Sequence, residues 1–282
     1  MTLTEQLRIE IQRNVAASLA EDVGTGDLTA RLIPAGTDAR GRVITREPAV
    51  ICGTAWFEAT FTTLDPTATV LWHVHDGDTV QPGQVLCDVV AGARELLSAE
   101  RTALNFLQLL SGTATVTRQF VDAIAGTNAK IVDTRKTLPG LRLAQKYAVA
   151  IGGGHNHRIG LYDGILIKEN HIIAAGGIAP VFEHARGIAP SNVFIEVEIE
   201  HLEQLREALD AGAKMILLDN MDLETMREAV RINAGRAELE ASGGVSLDGV
   251  RAIAETGVDR ISVGLLTKDV RALDLSLRHV EE

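Results

Sequence analysis

Residues 193–244 read VFIEVEIEHLEQLREALDAGAKMILLDNMDLETMREAVRINAGRAELEASGG, and their rhythm decides the fold. Three short apolar runs, VFIEVEIE, KMILLDN and AELEASGG, each end on a polar or glycine residue. Between them HLEQLREALDAG and LETMREAVRINAG carry the spacing of amphipathic helices. Strand, helix and strand in turn predict a parallel sheet with crossover helices. The rhythm extends outward in both directions. Upstream lie KIVDTRK and GILIKEN, and downstream LDGVRAIAETG leads into DRISVG. The strand ends fall at Arg135, Lys168, Glu198, Asp219, Ser242 and Gly264. In a parallel barrel those C-terminal ends open on one mouth, where the chemistry sits. An open doubly wound sheet is the alternative, because only six or seven strands are visible and residues 140–160 read poorly as helix.

Before residue 130 the pattern differs. Leu3, Leu7, Ile11, Val15 and Leu19 stand four apart, the stripe of an amphipathic helix, and Gly24, Gly26 and Asp27 break its period. From Gly41 to about Val90 the sequence is strand-like, with a short helix over Thr54–Leu64 and a hairpin region in HVHDGDTVQPGQVL. That hairpin is similar to a lobe of biotinyl or lipoyl carrier domains, but no lysine stands in the Asp76–Val80 turn to carry a cofactor. It reads as sandwich scaffolding. Arg94 to about Ile124 predicts two helices meeting near Ser111–Gly112 and joining the domains.

With 46% hydrophobic and 23% charged residues, the 282-residue chain has the composition of a soluble globular protein. No apolar run approaches the roughly 20 residues of a membrane span, and Met1–Ala20 has no signal-peptide core, so a cytoplasmic location is expected. A net charge of −11 argues against nucleic acid or an anionic membrane as partner. Cys52 and Cys87 stand singly in apolar contexts, as buried free thiols do.

Against that acidic background, Asp133–His171 gathers Arg135, Lys136, Arg142, Lys146, Arg158 and Lys168, plus His155, His157 and His171, against Asp133, Asp163 and Glu169. Interleaved glycines at 152, 153, 154, 160 and 164 suit backbone brought close to a ligand. The pattern points to a pocket for an anionic small molecule. Arg135, Lys136, Arg158 and Lys168, with His157 and His171 nearby, can bind carboxylates or phosphates. Glu198 and Asp219 can take sugar hydroxyls, hold magnesium or face a developing cation. Ser242–Gly243–Gly244 and Val263–Gly264 close the last two strands as a phosphate-binding turn would. Around one mouth these features suggest a phosphorylated sugar on one side and a carboxylated anion on the other. Blander roles suit the neighbours: His155 and His171 could orient adjacent groups, and Arg142 and Lys146 read as solvated or structurally paired. Tyr147 and Tyr162 read as packing, and Asp27 as a turn cap.

DTRKTLPGLR, GGGHNHRIGLYDGILIKENH, EVE, LLDN, SGG and SVG, with the earlier EDVGTGDLT and ERTALN, closely resemble the quinolinate phosphoribosyltransferase family. The likeness covers nearly the whole chain, with the motifs in family order. It implies an α/β fold class: an N-terminal α/β sandwich domain at 1–104, an incomplete (β/α) barrel at 105–268, and a last helix, 269–282, returning to the sandwich. The implied reaction joins quinolinate to 5-phosphoribosyl-1-pyrophosphate with Mg2+ as cofactor, giving nicotinate mononucleotide, pyrophosphate and CO2 in de novo NAD synthesis. Arg135, His157, Arg158 and Lys168 would then line the quinolinate pocket, with Thr134 among the substrate-binding residues and Arg101 supplied by the neighbouring subunit of a homodimer. Lys136 and Lys168 would neutralise the pyrophosphate side, while Glu198 and Asp219 hold ribose hydroxyls and magnesium. These four would be the catalytic set. Ser242, Gly243, Gly244, Val263, Gly264 and Lys268 would take the 5-phosphate. Leu265 and Asp269 depart from the family ending SVGALTKH, and an acid at 269 is expected to point away from a phosphate. The competing readings are a molybdate-transport-associated paralogue of the same fold, a non-catalytic anion-binding protein, and a Schiff-base aldolase using Lys168.

Overall fold

A computed structural model describes residues 4–280, which places Leu3 outside the described residues. The chain divides into two units: one takes residues up to Arg118, Leu138–Gly153 and the residues from Asp269 on, and the other takes Gln119–Thr137 and Gly154–Lys268. Residues 105–118 thus fall with the first unit, as do the residues from Asp269 on.

In the first unit α1 (Glu5–Asp22) starts at Thr4, whose hydroxyl accepts the Leu7 N–H. Its buried face carries Ile11, Val15 and Leu19, the expected stripe. A four-stranded antiparallel sheet holds β1 (Asp38–Thr45), β3 (Thr69–Trp72) and β5 (Val85–Gly92), while β2 (Ala49–Val50) pairs with β4 (Thr79–Val80). The expected hairpin is thus a β3–β5 pair with β4 as an excursion between them. Helix α2 (Thr54–Leu64) brings Phe57 and Phe61 into the core beneath that sheet, with Leu86, Leu96 and Leu107. Both cysteines are buried, and burial pushes both thiols up from their usual range.

Two expectations are corrected here. Helix α3 (Ala93–Ala123) is one helix of 31 residues and does not break at Gly112. A Cβ at 112 would collide with the Arg271 carbonyl oxygen, so the glycine serves close backbone approach, not a turn. The second concerns the residues from 269 on. Among the described residues 269–280 there is no helix: β12 (Leu275–His279) pairs antiparallel with β1 and is the fourth strand of the sheet. Leu273, Leu275 and Leu277 alternate with polar residues, and that period of two puts them on the core face. Helix α4 (Arg142–Ile151) also belongs to this unit; Lys146 on it is buried rather than solvated, and Tyr147 packs on Trp56 at 5.6 Å between ring centres. Asp27 caps a turn, accepting the Thr29 and Ala30 N–H groups.

The second unit alternates as its sequence predicts. Its strands are β6 (Lys130–Val132), β7 (Gly164–Ile167), β8 (Phe194–Ile199), β9 (Met215–Asp219), β10 (Glu238–Ser242) and β11 (Arg260–Ser262). Helices α5 (Glu169–Ala175), α6 (Ile178–Ile188), α7 (Leu202–Asp210), α8 (Leu223–Asn233), α9 (Leu247–Ala254) and the short α10 (Leu265–Lys268) connect or follow them. Side chains of His201, Asp222 and Ser246 cap α7, α8 and α9. The sheet is wholly parallel in the order β6-β11-β10-β9-β8-β7. A doubly wound sheet reverses its order at a switch point. Here the order is cyclic, cut once between β6 and β7, which is a barrel lacking part of its wall. The HNHR segment spans the cut. His155 forms a parallel bridge with Val132 of β6, and Arg158 Nη1 donates to the Gly164 carbonyl of β7 at 2.9 Å.

Candidate active site

Strands of a barrel alternate between an inner and an outer face. On β8, Val197 and Ile199 are fully buried, while Glu196 and Glu198 share the opposite face. On β10, Leu239 and Ala241 are buried, while Glu240 and Ser242 share the other. Glu198, Glu240 and Ser242 line one cavity of about 240 Å³ at the C-terminal strand ends, with Glu196 in contact through His157.

Thr134, Arg135, Lys136, His157, Arg158, Lys168, Glu198 and Ser242 come together in that cavity, beside Asp133, Leu166, Leu217, Glu240 and Ser262. The β6 end turns tightly, with Thr134 Oγ1 accepting the Lys136 N–H at 3.1 Å. The stem of Lys136 then crosses Gly264, where a Cβ would stand 3.0 Å from Lys136 Cδ. Lys168, at the N-terminus of α5, is half-exposed and donates from Nζ to Glu198 Oε2 at 2.5 Å. His171 accepts the Lys168 N–H on Nδ1 at 2.9 Å, so it orients that lysine's backbone. Burial, and then the neighbouring Arg135, pull the Arg158 guanidinium below its usual range, opposed by Glu196, Asp163 and Glu198. It stays cationic at neutral pH.

Other expected residues lie outside the cavity lining. Asp219 is half-buried at the β9 end, with Oδ2 accepting the Asn220 side-chain amide at 3.0 Å. Gly243 and Gly244 follow β10 in left-handed conformations, at φ +100 and +58. Val263 is buried and its N–H donates to the Val132 carbonyl at 2.9 Å. Lys268 is exposed at the end of α10, and Asp269 is exposed as well. Arg101 is exposed on α3 of the first unit, Arg142 is half-buried, and Tyr162 is 72% exposed, which leaves it packing nothing on most of its surface. A larger groove of about 380 Å³ lies in the first unit, but its lining carries Glu21 and Asp22 without any lysine or arginine. Its charge is wrong for an anion.

Sequence reasoning missed the buried carboxylates. Asp133 is fully buried, accepting the Asn156 side-chain amide at 2.6 Å and the His157 N–H at 2.9 Å. Glu196 Oε2 lies 2.8 Å and Glu240 Oε1 3.7 Å from His157 Nε2. Arg260 Nε donates to Glu240 Oε2 at 3.0 Å. Burial, and then the adjacent Glu196, push the Glu240 carboxyl up to about 7 against His157 and Arg260. The signal was available in the alternation E-V-E of β8 and E-L-E-A-S of β10, once the inner face is taken as the polar one.

Magnesium takes hard oxygen ligands and is often held through one or two carboxylates plus substrate phosphates. Glu198 and Asp219 offer such oxygens on neighbouring strands, two residues apart in register. That donor set fits the ion.

The description "Quinolinate phosphoribosyl transferase, N-terminal domain" matches residues 27–111, and its C-terminal-domain counterpart matches 113–278. A Bacillus subtilis protein named "Probable nicotinate-nucleotide pyrophosphorylase [carboxylating]" is 45% identical, over 91% of this chain and 89% of its own. The Mycobacterium leprae protein named "Nicotinate-nucleotide pyrophosphorylase [carboxylating]" is 46% identical, over 93% and 95%. The solved nicotinate-nucleotide pyrophosphorylase from Francisella tularensis superposes with a TM-score of 0.93 at 46% identity, covering 96% of each chain.

Proposed function

The chain belongs to the quinolinate phosphoribosyltransferase family, and from that membership we propose how its own residues carry the reaction. The reaction transfers the phosphoribosyl group of 5-phosphoribosyl-1-pyrophosphate to quinolinate, releasing pyrophosphate and CO2 and leaving nicotinate mononucleotide for NAD synthesis. One observation carries the assignment of roles: Arg135, Lys136, Arg158 and Lys168 converge with Glu198 on a single cavity at the strand ends.

Arg135 and Arg158 are the forked donors suited to the two ring carboxylates, with Thr134 and His157 beside them. Breaking the ribosyl C1–oxygen bond builds positive charge on the sugar and negative charge on the leaving pyrophosphate. Glu198 and Asp219 face the first, and Lys136 and Lys168 the second. Magnesium, when bound by Glu198 and Asp219, adds positive charge at the pyrophosphate oxygens. Ser242, Gly243, Gly244, Gly264 and Lys268 hold the 5-phosphate. Once the ring nitrogen is ribosylated it is cationic and can accept the electrons released with CO2, so decarboxylation needs no protein nucleophile. Arg101, exposed on α3, serves the cavity of a second copy in a homodimer. The proposal includes a cytoplasmic setting; among the described residues no helix is long and apolar enough to cross a membrane.

The test is incubation of purified protein with quinolinate, 5-phosphoribosyl-1-pyrophosphate and magnesium, with nicotinate as parallel acceptor. Nicotinate mononucleotide detected by mass spectrometry from quinolinate alone is the expected result. Absence of product from both acids in folded protein overturns it.

A further inference from the structure

His157 has both ring nitrogens engaged by the protein. The Arg158 backbone N–H donates to Nδ1 at 2.8 Å, and an amide N–H only donates, so Nδ1 presents a lone pair. The ring hydrogen then sits on Nε2, 2.8 Å from Glu196 Oε2. The ring is 8% exposed, and Phe194 meets it edge-on at 5.3 Å between centres. Its donor is aimed at a buried carboxylate and not at the cavity.

The same groups raise a second possibility, since His157, Glu196 and Glu240 bring ligand atoms within 4.8 Å of one another. Glu196 Oε1 and Glu240 Oε1 are moreover buried without a hydrogen-bond partner. A cation on Nε2 would displace the ring's only N–H hydrogen while Nδ1 still accepts an amide. That leaves an imidazolate, whereas histidine binds metals as neutral imidazole. Arg260, 3.0 Å from Glu240, already supplies positive charge there. The geometry favours a hydrogen-bonded histidine over a metal centre.

We propose that Glu196 is a positioning residue for the acceptor pocket: it fixes the tautomer and orientation of His157, which holds the Arg158 backbone so that the Arg158 guanidinium faces the cavity. The HNHR segment is then pinned at each step. His155 bonds to β6, Asp133 takes Asn156 and the His157 N–H, the His157 ring takes Glu196, and Arg158 reaches Gly164. His157 acts through Arg158 instead of donating to a ring carboxylate. This inference rests on quinolinate being the acceptor.

Two measurements test it. In full-length protein labelled with 15N-histidine, with the His157 signals identified by their loss in His157→Gln, long-range 1H–15N spectra should show Nδ1 bare and Nε2 protonated, before and after quinolinate. A hydrogen on Nδ1, a doubly protonated ring, or a tautomer that changes when quinolinate binds overturns the proposal. In kinetics, Glu196→Leu should raise KM for quinolinate about 10- to 100-fold by misplacing the guanidinium. KM for the phosphoribosyl donor should stay within about twofold, since uniform binding of that substrate is untouched. Glu196→Gln keeps an oxygen acceptor for Nε2–H and should restore most of the loss. A Gln variant as poor as Leu, or equal losses for both substrates, refutes the positioning role. Should Glu196→Leu fail to fold, the spectra and the Gln variant still decide. Should the wild type turn over neither acid, the substrate reading falls while the tautomer measurement stands by itself.

Discussion

In the first unit buried polar side chains serve the chain itself, whereas the buried carboxylates of the second are gathered at a cavity. Asn14 shows the first habit: its oxygen accepts the Trp56 Nε1–H at 3.1 Å and its nitrogen donates to the Gly140 carbonyl and Glu10. Ser111 likewise takes the Cys52 N–H and returns its own hydrogen to the Cys52 carbonyl. The second unit buries Asp133, Glu196 and Glu240, and sets Arg135, Arg158 and Arg260 close to them. Like carboxylates brought together out of water cost stability. A scaffold that needed only to fold would have little use for them, so the crowding marks where function overrides packing.

That contrast can be broken at several scales. The largest effect should come from the cavity: Lys136→Ala is expected to lower kcat/KM by about 1,000-fold through lost leaving-group stabilisation, with little change in thermal midpoint. Mixing it with Arg101→Ala should return part of the activity through hybrid dimers, each having one intact mouth. A stable mixture that exchanges subunits and stays inactive rejects the shared site. Next in size, Trp56→Ala in the first unit should cost about 3–5 kcal/mol in urea unfolding, while KM for both substrates is unchanged. A comparable loss of affinity would dissolve the distinction between the two units.

Glu240→Gln tests the claim that function is favoured over stability in the barrel. A carboxyl whose folded pKa lies above its unfolded value holds its proton more tightly when native, so stability falls as pH rises from about 4.5 through about 7. The amide removes that dependence. The variant should be the more stable protein at pH 8, by about 1–3 kcal/mol, and the gain should vanish near pH 4. Loss of stability at pH 8 would mean that pairing with Arg260 outweighs burial. The smallest effect should be Ser246→Ala, which removes the α9 cap at 3.2 Å and costs about 1 kcal/mol. Kinetics should not move, which would separate lying in the barrel unit from lying at its cavity.

The barrel was legible because each strand–helix step carries its own period and ends on a residue suited to a mouth. Helix α3 was misread because Gly112 looks the same in sequence whether it breaks a helix or lets another backbone pass. The segment Leu273–His279 was misread because its family expectation was a helix, although L-D-L-S-L alternates as a strand. Arg135, Lys136, Arg158 and Lys168 were found because cations stand out in an acidic chain. Glu196 and Glu240 were not, because a glutamate between two apolar residues reads as solvent-facing until the strand is known to curve around an interior.

Strand β12 has a consequence for how this chain is made. It completes the sheet beside β1, yet it follows every element of the barrel unit in the chain. On the ribosome, β1 emerges early and waits, with the edge that β12 will cover open to solvent, for more than two hundred residues of translation. The six parallel strands can close while that edge is still bare. Once docked, β12 is the edge in its place, and it offers five residues where β1 offered eight. A longer open edge is the better template for pairing with another nascent chain, so premature termination before Leu275 should yield aggregates and not merely a shortened enzyme.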